Sequence, residues 1–191
     1  WVRRLVGDDE LNFRFSILQR RVGFRHFANG CTCFKQVTGN EQRDIARYLI
    51  VVLNGLPSHH KTVITALRFL MEFVHLGEYG SHDDDTLQYM SDAVAGFHKF
   101  KQAILDAELR MGSNGPMDNM NIPKAEMFHF VVESIKQMGI PAQHSTDITE
   151  NKLIEVAKKP FRMTNHRDAP PQMVRALDRA SKHRIFSLYL E

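Results

Sequence analysis

The sequence predicts a mainly α protein: about six helices in one irregular helical domain over residues 1–191, with at most one or two short strands. Three observations predict it. Apolar residues recur at helical spacing (i, i+3, i+4, i+7) in stretch after stretch. These stretches are bounded by recognisable starts and stops, such as Thr38-Gly39-Asn40-Glu41 and Gly139. Runs of alternating apolar and polar residues, the mark of a half-buried strand, are nearly absent.

Trp1 to Val6 reads as the end of an element whose start is missing, and a chain opening on Trp is expected to be a fragment of a longer protein. Asp8-Asp9-Glu10 favour a short helix through Leu18, because carboxylates are stabilised at the positive end of the helix dipole. Gly23 and Asn29-Gly30 break the next stretch into loop. Thr38 and Glu41 have capping-box spacing, and Ile45, Tyr48, Leu49 and Val52 form one apolar face ending near Asn54-Gly55. Ser58 is expected to cap the next helix, which presents Val63, Leu67, Leu70, Met71 and Val74 and stops at Gly77.

A turn at 78–81 leads to one long helix, expected from Asp84 to Met111, with Leu87, Met90, Val94, Phe97, Phe100 and Ile104 as its stripe. Gly112 to Pro116 reads as loop, and a sub-boundary is expected near 112–122. Pro123 opens a helix lined by Met127, Phe130, Val131, Ile135 and Met138 and closed by Gly139. Ala142 to Thr146 reads as a short strand or extended linker. A helix over Thr149 to Lys159 is expected to stop at Pro160. After a polar loop, Pro170-Pro171 opens a final helix to about Leu190, with Met173, Leu177, Ile185 and Leu188 as candidate core contacts.

Composition limits the function classes. With 191 residues, 43% of them hydrophobic, the chain can bury a core without a disulfide or metal staple. No run approaches the ~20 apolar residues that span a bilayer, so no membrane partner is expected. Two cysteines do not make a disulfide scaffold and suit a reducing compartment. The net charge of +3 hides a segregation. Arg3 to Arg47 carries nine Lys/Arg against five Asp/Glu, Glu78 to Glu133 four against ten, and Lys152 to Arg184 nine against three. A polyanion is attracted to the two basic ends and repelled by the middle. Solvated helix faces that differ in sign explain the same pattern.

Most candidate sites are weak. Cys31-Thr32-Cys33 beside His26 lacks a second ligand pair, so semi-buried free thiols are the better reading and no metal is expected in this chain. His59-His60 and His75 sit near helix ends. Asp83-Asp84-Asp85 points three carboxylates in different directions and suits a helix start. There is no H-E-x-x-H, no G-x-S-x-G and no phosphate-cradling loop. The segment Gln143 to Pro160 is more informative. Glu150, or Asp147 at the helix start, offers a carboxylate beside Lys158 and Lys159. Two-metal phosphoryl chemistry needs such groups, but several of them, from separate elements. A capped amphipathic helix with i,i+4 charge pairs accounts for the same spacing.

Several segments resemble the C-terminal region of Plavaka-type transposases, from a CACTA-like group of fungal DNA transposons. They are Phe13-Arg14-Phe15-Ser16-Ile17-Leu18-Gln19, Val22 to Phe27, Lys35 to Gly39, Gln42 to Leu49 and Ala66 to Phe73, then Phe97-His98, Asp118-Asn119, Ile122-Pro123-Lys124, Ser145 to Glu150 and Leu177-Asp178-Arg179. The resemblance runs in order over nearly the whole chain. It implies a parent enzyme with an RNase H-like core that cuts DNA with acidic residues and a divalent metal (Mg²⁺). This chain would supply the helical insertion and final helix of that core, with the first acids lying before Trp1. It implies Glu150 as the candidate third catalytic acid, with Asp147 second, and a nuclear location. The sequence departs from the family at Asn151-Lys152-Leu153, where the family has a His-containing stretch, and at Cys31 and Cys33.

Two functions are consistent with these features. In the first, the chain is a piece, or a stranded remnant, of a transposase, not active alone, contacting DNA nonspecifically through Lys158, Lys159, Arg162, Arg167, Arg175 and Arg179. In the second, it is a helical assembly module that joins the rest of the transposase or a second copy through its charge asymmetry. A stand-alone enzyme is disfavoured, because no complete catalytic set is present.

Overall fold

The computed structural model describes residues 1–34 and 36–190, with every side chain except those of residues 147 and 148. It is mainly α, at 67% helix and 2% strand. The chain divides into two compact units, Trp1–Ala142 and Gln143–Glu191, and the expected sub-boundary at 112–122 falls inside the first. Among the described residues, no helix is long and apolar enough to cross a membrane.

The first unit opens with α1 (Val2–Val6) and α2 (Asp8–Ser16), separated by Gly7 at φ 86°. The loop 17–38 is held from α2. Asn12 Oδ1 accepts the backbone N–H groups of Cys31 and Thr32, both at 2.9 Å, and its Nδ2 donates to Thr32 Oγ1 at 2.7 Å. Phe27 folds edge-on against Phe15 at 5.6 Å, and these two rings, Leu11 and Val52 form one buried cluster.

Helix α3 (Gly39–Val52) starts as its sequence dictates. Glu41 N–H donates to Thr38 Oγ1 at 3.3 Å, and Thr38 N–H donates to Glu41 Oε2 at 2.8 Å. Ser58 does not cap α4. A 3-10 turn, Ser58–His60, precedes α4 (Lys61–Gly77), and no side chain caps that helix. The turn makes its own backbone bonds, so the hydroxyl is not needed as an acceptor.

Helices α4 and α5 (Asp84–Phe100) are the centre of this unit. Two buried clusters line them. Leu53, Val63, Ala66, Leu67, Phe97, Ile104 and Leu109 form one. Phe73, Leu76, Leu87, Met90, Ala93, Val94 and Ile135 form the other. Gly96 lets the helices approach, since a Cβ there would sit 2.5 Å from the Phe69 ring, which stacks on Phe100 at 5.9 Å.

The single long helix expected over Asp84–Met111 is interrupted. It breaks at Lys101, resumes as α6 (Gln102–Asp106), and ends where Glu108 takes φ 53° and Leu109 N–H donates to Ile104 O at 3.0 Å. That reversal returns Leu109 to the core at 6% exposure, which a continuous helix could not do. Gly112 to Pro116 is not simple loop but a minimal hairpin, β1 (Met111–Gly112) against β2 (Gly115–Pro116).

Pro123 opens α7 (Pro123–Glu126), and α8 (Phe128–Met138) comes after a break at Met127. The face toward the body is Phe128, Val131, Val132 and Ile135. Met127, Phe130 and Met138 are exposed at 64%, 69% and 57%, contrary to expectation. The break at Met127 turns α8 relative to the register that a single helix from Pro123 imposes. Pro141–His144 forms a 3-10 turn where a strand or extended linker was expected. Pro141 fixes a helical φ there, and Ile140 is the last residue it pushes toward extended geometry.

Candidate functional site

The second unit carries the candidate catalytic and nucleic-acid residues. Its first helix is α9 (Asp147–Leu153), which runs on through a π turn, Ile154–Lys158, into α10 (Lys159–Arg162). Pro160 does not stop this helix. Proline has no N–H and its ring crowds the carbonyl four residues back. The backbone answers by widening: Lys159 keeps φ −67° and ψ −52° and donates its N–H to Ile154 O, five residues back.

The loop 163–168 reverses the chain. Thr164, buried, donates its hydroxyl to Phe161 O at 2.8 Å. Gln172 Nε2 donates to Asn165 Oδ1 at 2.7 Å and to Arg167 O at 2.6 Å, while Asn165 N–H donates to Gln172 Oε1 at 3.2 Å. His166 and Asp168 take positive φ within this clamp. Helix α11 (Ala169–Leu190) then packs back on the 147–162 helix.

A groove of about 490 Å³ lies between them. From α11 come Leu177, Ala180, Ser181, Arg184 and Ile185, one face at i, i+3, i+4, i+7, i+8. From the facing helix come Lys152, Glu155, Val156 and Lys159. Lys152 Nζ donates to Glu155 Oε2 at 3.1 Å. That bond, and then the charges of Lys152, Lys159 and Arg184, hold the Glu155 carboxyl below its ordinary range. Three cations therefore share one carboxylate.

Of the residues expected to act, Glu150 is exposed, and its Oε1 accepts from Thr146 Oγ1 at 3.2 Å. The side chain of Asp147 lies outside the described residues. Among the described residues, no group of three or more His, Cys, Asp or Glu is placed to hold a metal ion. Lys158, Arg162, Arg167, Arg175 and Arg179 are all exposed, and none forms an ion pair among the described residues. Arg175 and Arg179 share a stripe of α11 that helical geometry puts opposite the groove face. Lys159 lines the groove, with Lys152 and Arg184. The six basic candidates thus belong to a unit with a net positive charge but do not converge on one point. Of the candidate core contacts on α11, Met173 and Leu177 are half-buried, whereas Ile185 and Leu188 are 67% and 66% exposed.

Sequence reasoning missed Glu155 and Arg184 as members of one groove. Their spacing was available: 152, 155 and 159 repeat at helical intervals, as do 177, 181 and 184. Which faces meet depends on the π turn and on the clamp around Gln172.

The remaining candidates are structural. Cys33 Sγ donates to Asn29 O at 3.6 Å, burial pushes the Cys31 thiol up, and the His26 ring bonds Leu18 O at 3.1 Å. Asp83 caps α5: its Oδ1 accepts from Thr86 N–H at 2.8 Å, which lowers its pKa. One histidine pair was not anticipated. His98 of α5 stacks on His129 of α8 at 4.5 Å, its Nδ1 lies 2.8 Å from Lys101 Nζ, and its Nε2 is buried without a partner. No family model, no curated protein and no solved structure matches this chain.

Proposed function

We propose that this chain is a C-terminal piece of a Plavaka-type DNA transposase, contributing DNA contact and helical scaffolding rather than complete catalysis. The observation that supports it is the second unit's surface: Lys158, Arg162, Arg167, Arg175 and Arg179 are exposed and, among the described residues, unpaired. Cations not already neutralised by carboxylates release condensed counterions when they meet DNA phosphates. The contact is nonspecific, since side chains that meet phosphates carry no sequence information directly. In this reading the location is nuclear. Glu150 is the third acid of the parent's Mg²⁺ site, whose other carboxylates come from elsewhere in that protein. Glu150 alone does not build such a site.

A gel-shift titration of the chain against duplex DNA tests the reading. Binding at low salt that collapses on going from about 50 to about 200 mM supports it, because the electrostatic contribution falls steeply over that range. Absence of binding at low salt overturns it. For Glu150, the test is Glu150→Gln in a full-length active relative: strand cleavage should be lost with DNA binding kept, and wild-type cutting removes the residue from consideration.

The second reading is assembly with transposase subunits or a second copy. It is favoured by Ile185, Phe186, Leu188, Tyr189 and Leu190, all at least 60% exposed at the end of α11. Concentration-dependent association in sedimentation, without DNA binding, supports that alternative.

A further inference from the structure

We propose that the groove between α11 and the 147–162 helix is a subsite for a DNA backbone phosphodiester, and that Glu155 opposes its occupancy. This rests on the DNA-contact reading above. Lys152, Lys159 and Arg184 line the groove with one carboxylate between them, so it keeps a positive excess even with Glu155 in place. Its walls include Leu177 and Ile185. Arg184 adds a planar fork that matches two phosphate oxygens, and the two lysines add point charges.

Glu155 acts as an internal competitor. Its bond to Lys152 links side chains that are 59% and 68% exposed, and pairs of that kind contribute little. An arriving phosphate can therefore take over the cations at small cost. Glu155 still repels it, since the carboxylate stays ionised among three positive neighbours. Removing that one negative charge therefore raises phosphate affinity, and removing Arg184 lowers it.

The experiment uses the full chain and a labelled duplex oligonucleotide in fluorescence anisotropy, at about 50 mM salt and again at higher salt, where phosphate contacts reveal themselves by slope. Glu155→Gln should tighten binding about threefold at low salt, the effect of losing one like charge beside the ligand. Arg184→Gln should weaken it several-fold and reduce the salt slope by about one. Asp178→Asn is the control. It changes net charge equally but removes a carboxylate paired with Lys182 at 2.7 Å, outside the groove, and should tighten binding less than Glu155→Gln. Equal tightening by the two carboxylate variants, or an unchanged affinity in Arg184→Gln, overturns the groove while leaving nonspecific DNA contact standing. Failure of the wild-type chain to bind duplex at low salt overturns both. Displacement of the DNA by an acidic peptide as readily as by pyrophosphate also overturns the assignment to phosphate.

Discussion

Arg14 of α2 donates its Nη1 to Val52 O at 2.9 Å and also to Asn54 O at 2.7 Å, closing the C-terminal end of α3 from a neighbouring helix. The last carbonyls of a helix lack intrahelical partners. A cation there satisfies them and complements the negative end of the dipole. Arg14 is in turn oriented by Glu10, which accepts from its Nε at 2.7 Å, and its side chain is only 21% exposed.

Arg14→Met should therefore lower unfolding stability by about 1.5–3 kcal/mol, the range for hydrogen bonds to charged groups. Arg14→Lys should recover part of that, because it keeps the charge and loses the fork. Urea unfolding of the three proteins measures it. A midpoint for Arg14→Met equal to wild type would show that the carbonyls find other partners.

Gly96→Ala tests the seam between α4 and α5. Helix propensity alone favours Ala by about 1 kcal/mol. The added Cβ would meet the Phe69 ring at 2.5 Å, and that ring is held against Phe100. Overpacking of this kind costs about 1–3 kcal/mol, so the variant should be less stable than wild type. Adding Phe69→Leu should restore part of the loss, a non-additivity that a double-mutant cycle reads directly.

Asn12→Ala should loosen the 17–38 loop. It strips the acceptor from two partly buried backbone N–H groups, at Cys31 and Thr32, and a lost hydrogen bond of that kind costs about 1 kcal/mol. Gly30, at φ 78°, packs its backbone against the Asn12 side chain, so a larger residue in place of Gly30 should disturb the same contact. Hydrogen exchange at Cys31 and Thr32 is the readout, and protection should fall there before the α4–α5 core is affected.

Acidification should weaken the attachment of α8 through His98. Burial of the ring, then the charges of Lys101 and His129, lower its pKa from 6.5, against a smaller opposing effect of Glu126. The unfolded chain therefore takes up a proton at higher pH than the folded one. Stability from this group is complete above about pH 6.5 and declines as pH falls below it. Thermal melts across pH 8 to 5, roughly the window in which histidines titrate, should show a shallower decline for His98→Gln than for wild type. Identical slopes would assign the pH dependence elsewhere.

Spacing along the chain was enough to specify the helical class, the α3 start at Thr38 and Glu41, the stop at Gly139 and the core-facing stripe Leu87, Met90, Val94, Phe97, Phe100 and Ile104. Those features are local: periodicity and capping act within a few residues. The basic character of the Lys152–Arg184 stretch was equally plain from residue types. Packing settled the features that depend on partners far along the chain. Leu109 ends a helix that periodicity would continue, because burial in the core outweighs another turn. Met127, Phe130 and Met138 are turned outward by a break that no residue between Glu126 and Phe128 announces. Pro160 sits inside a helix that widens instead of ending, with Lys159 N–H donating to Ile154 O five residues back in the turn that precedes it. The packing of α11 on that helix brings Lys152, Glu155 and Lys159 into one groove with Arg184, so charges scattered along the sequence line a single site.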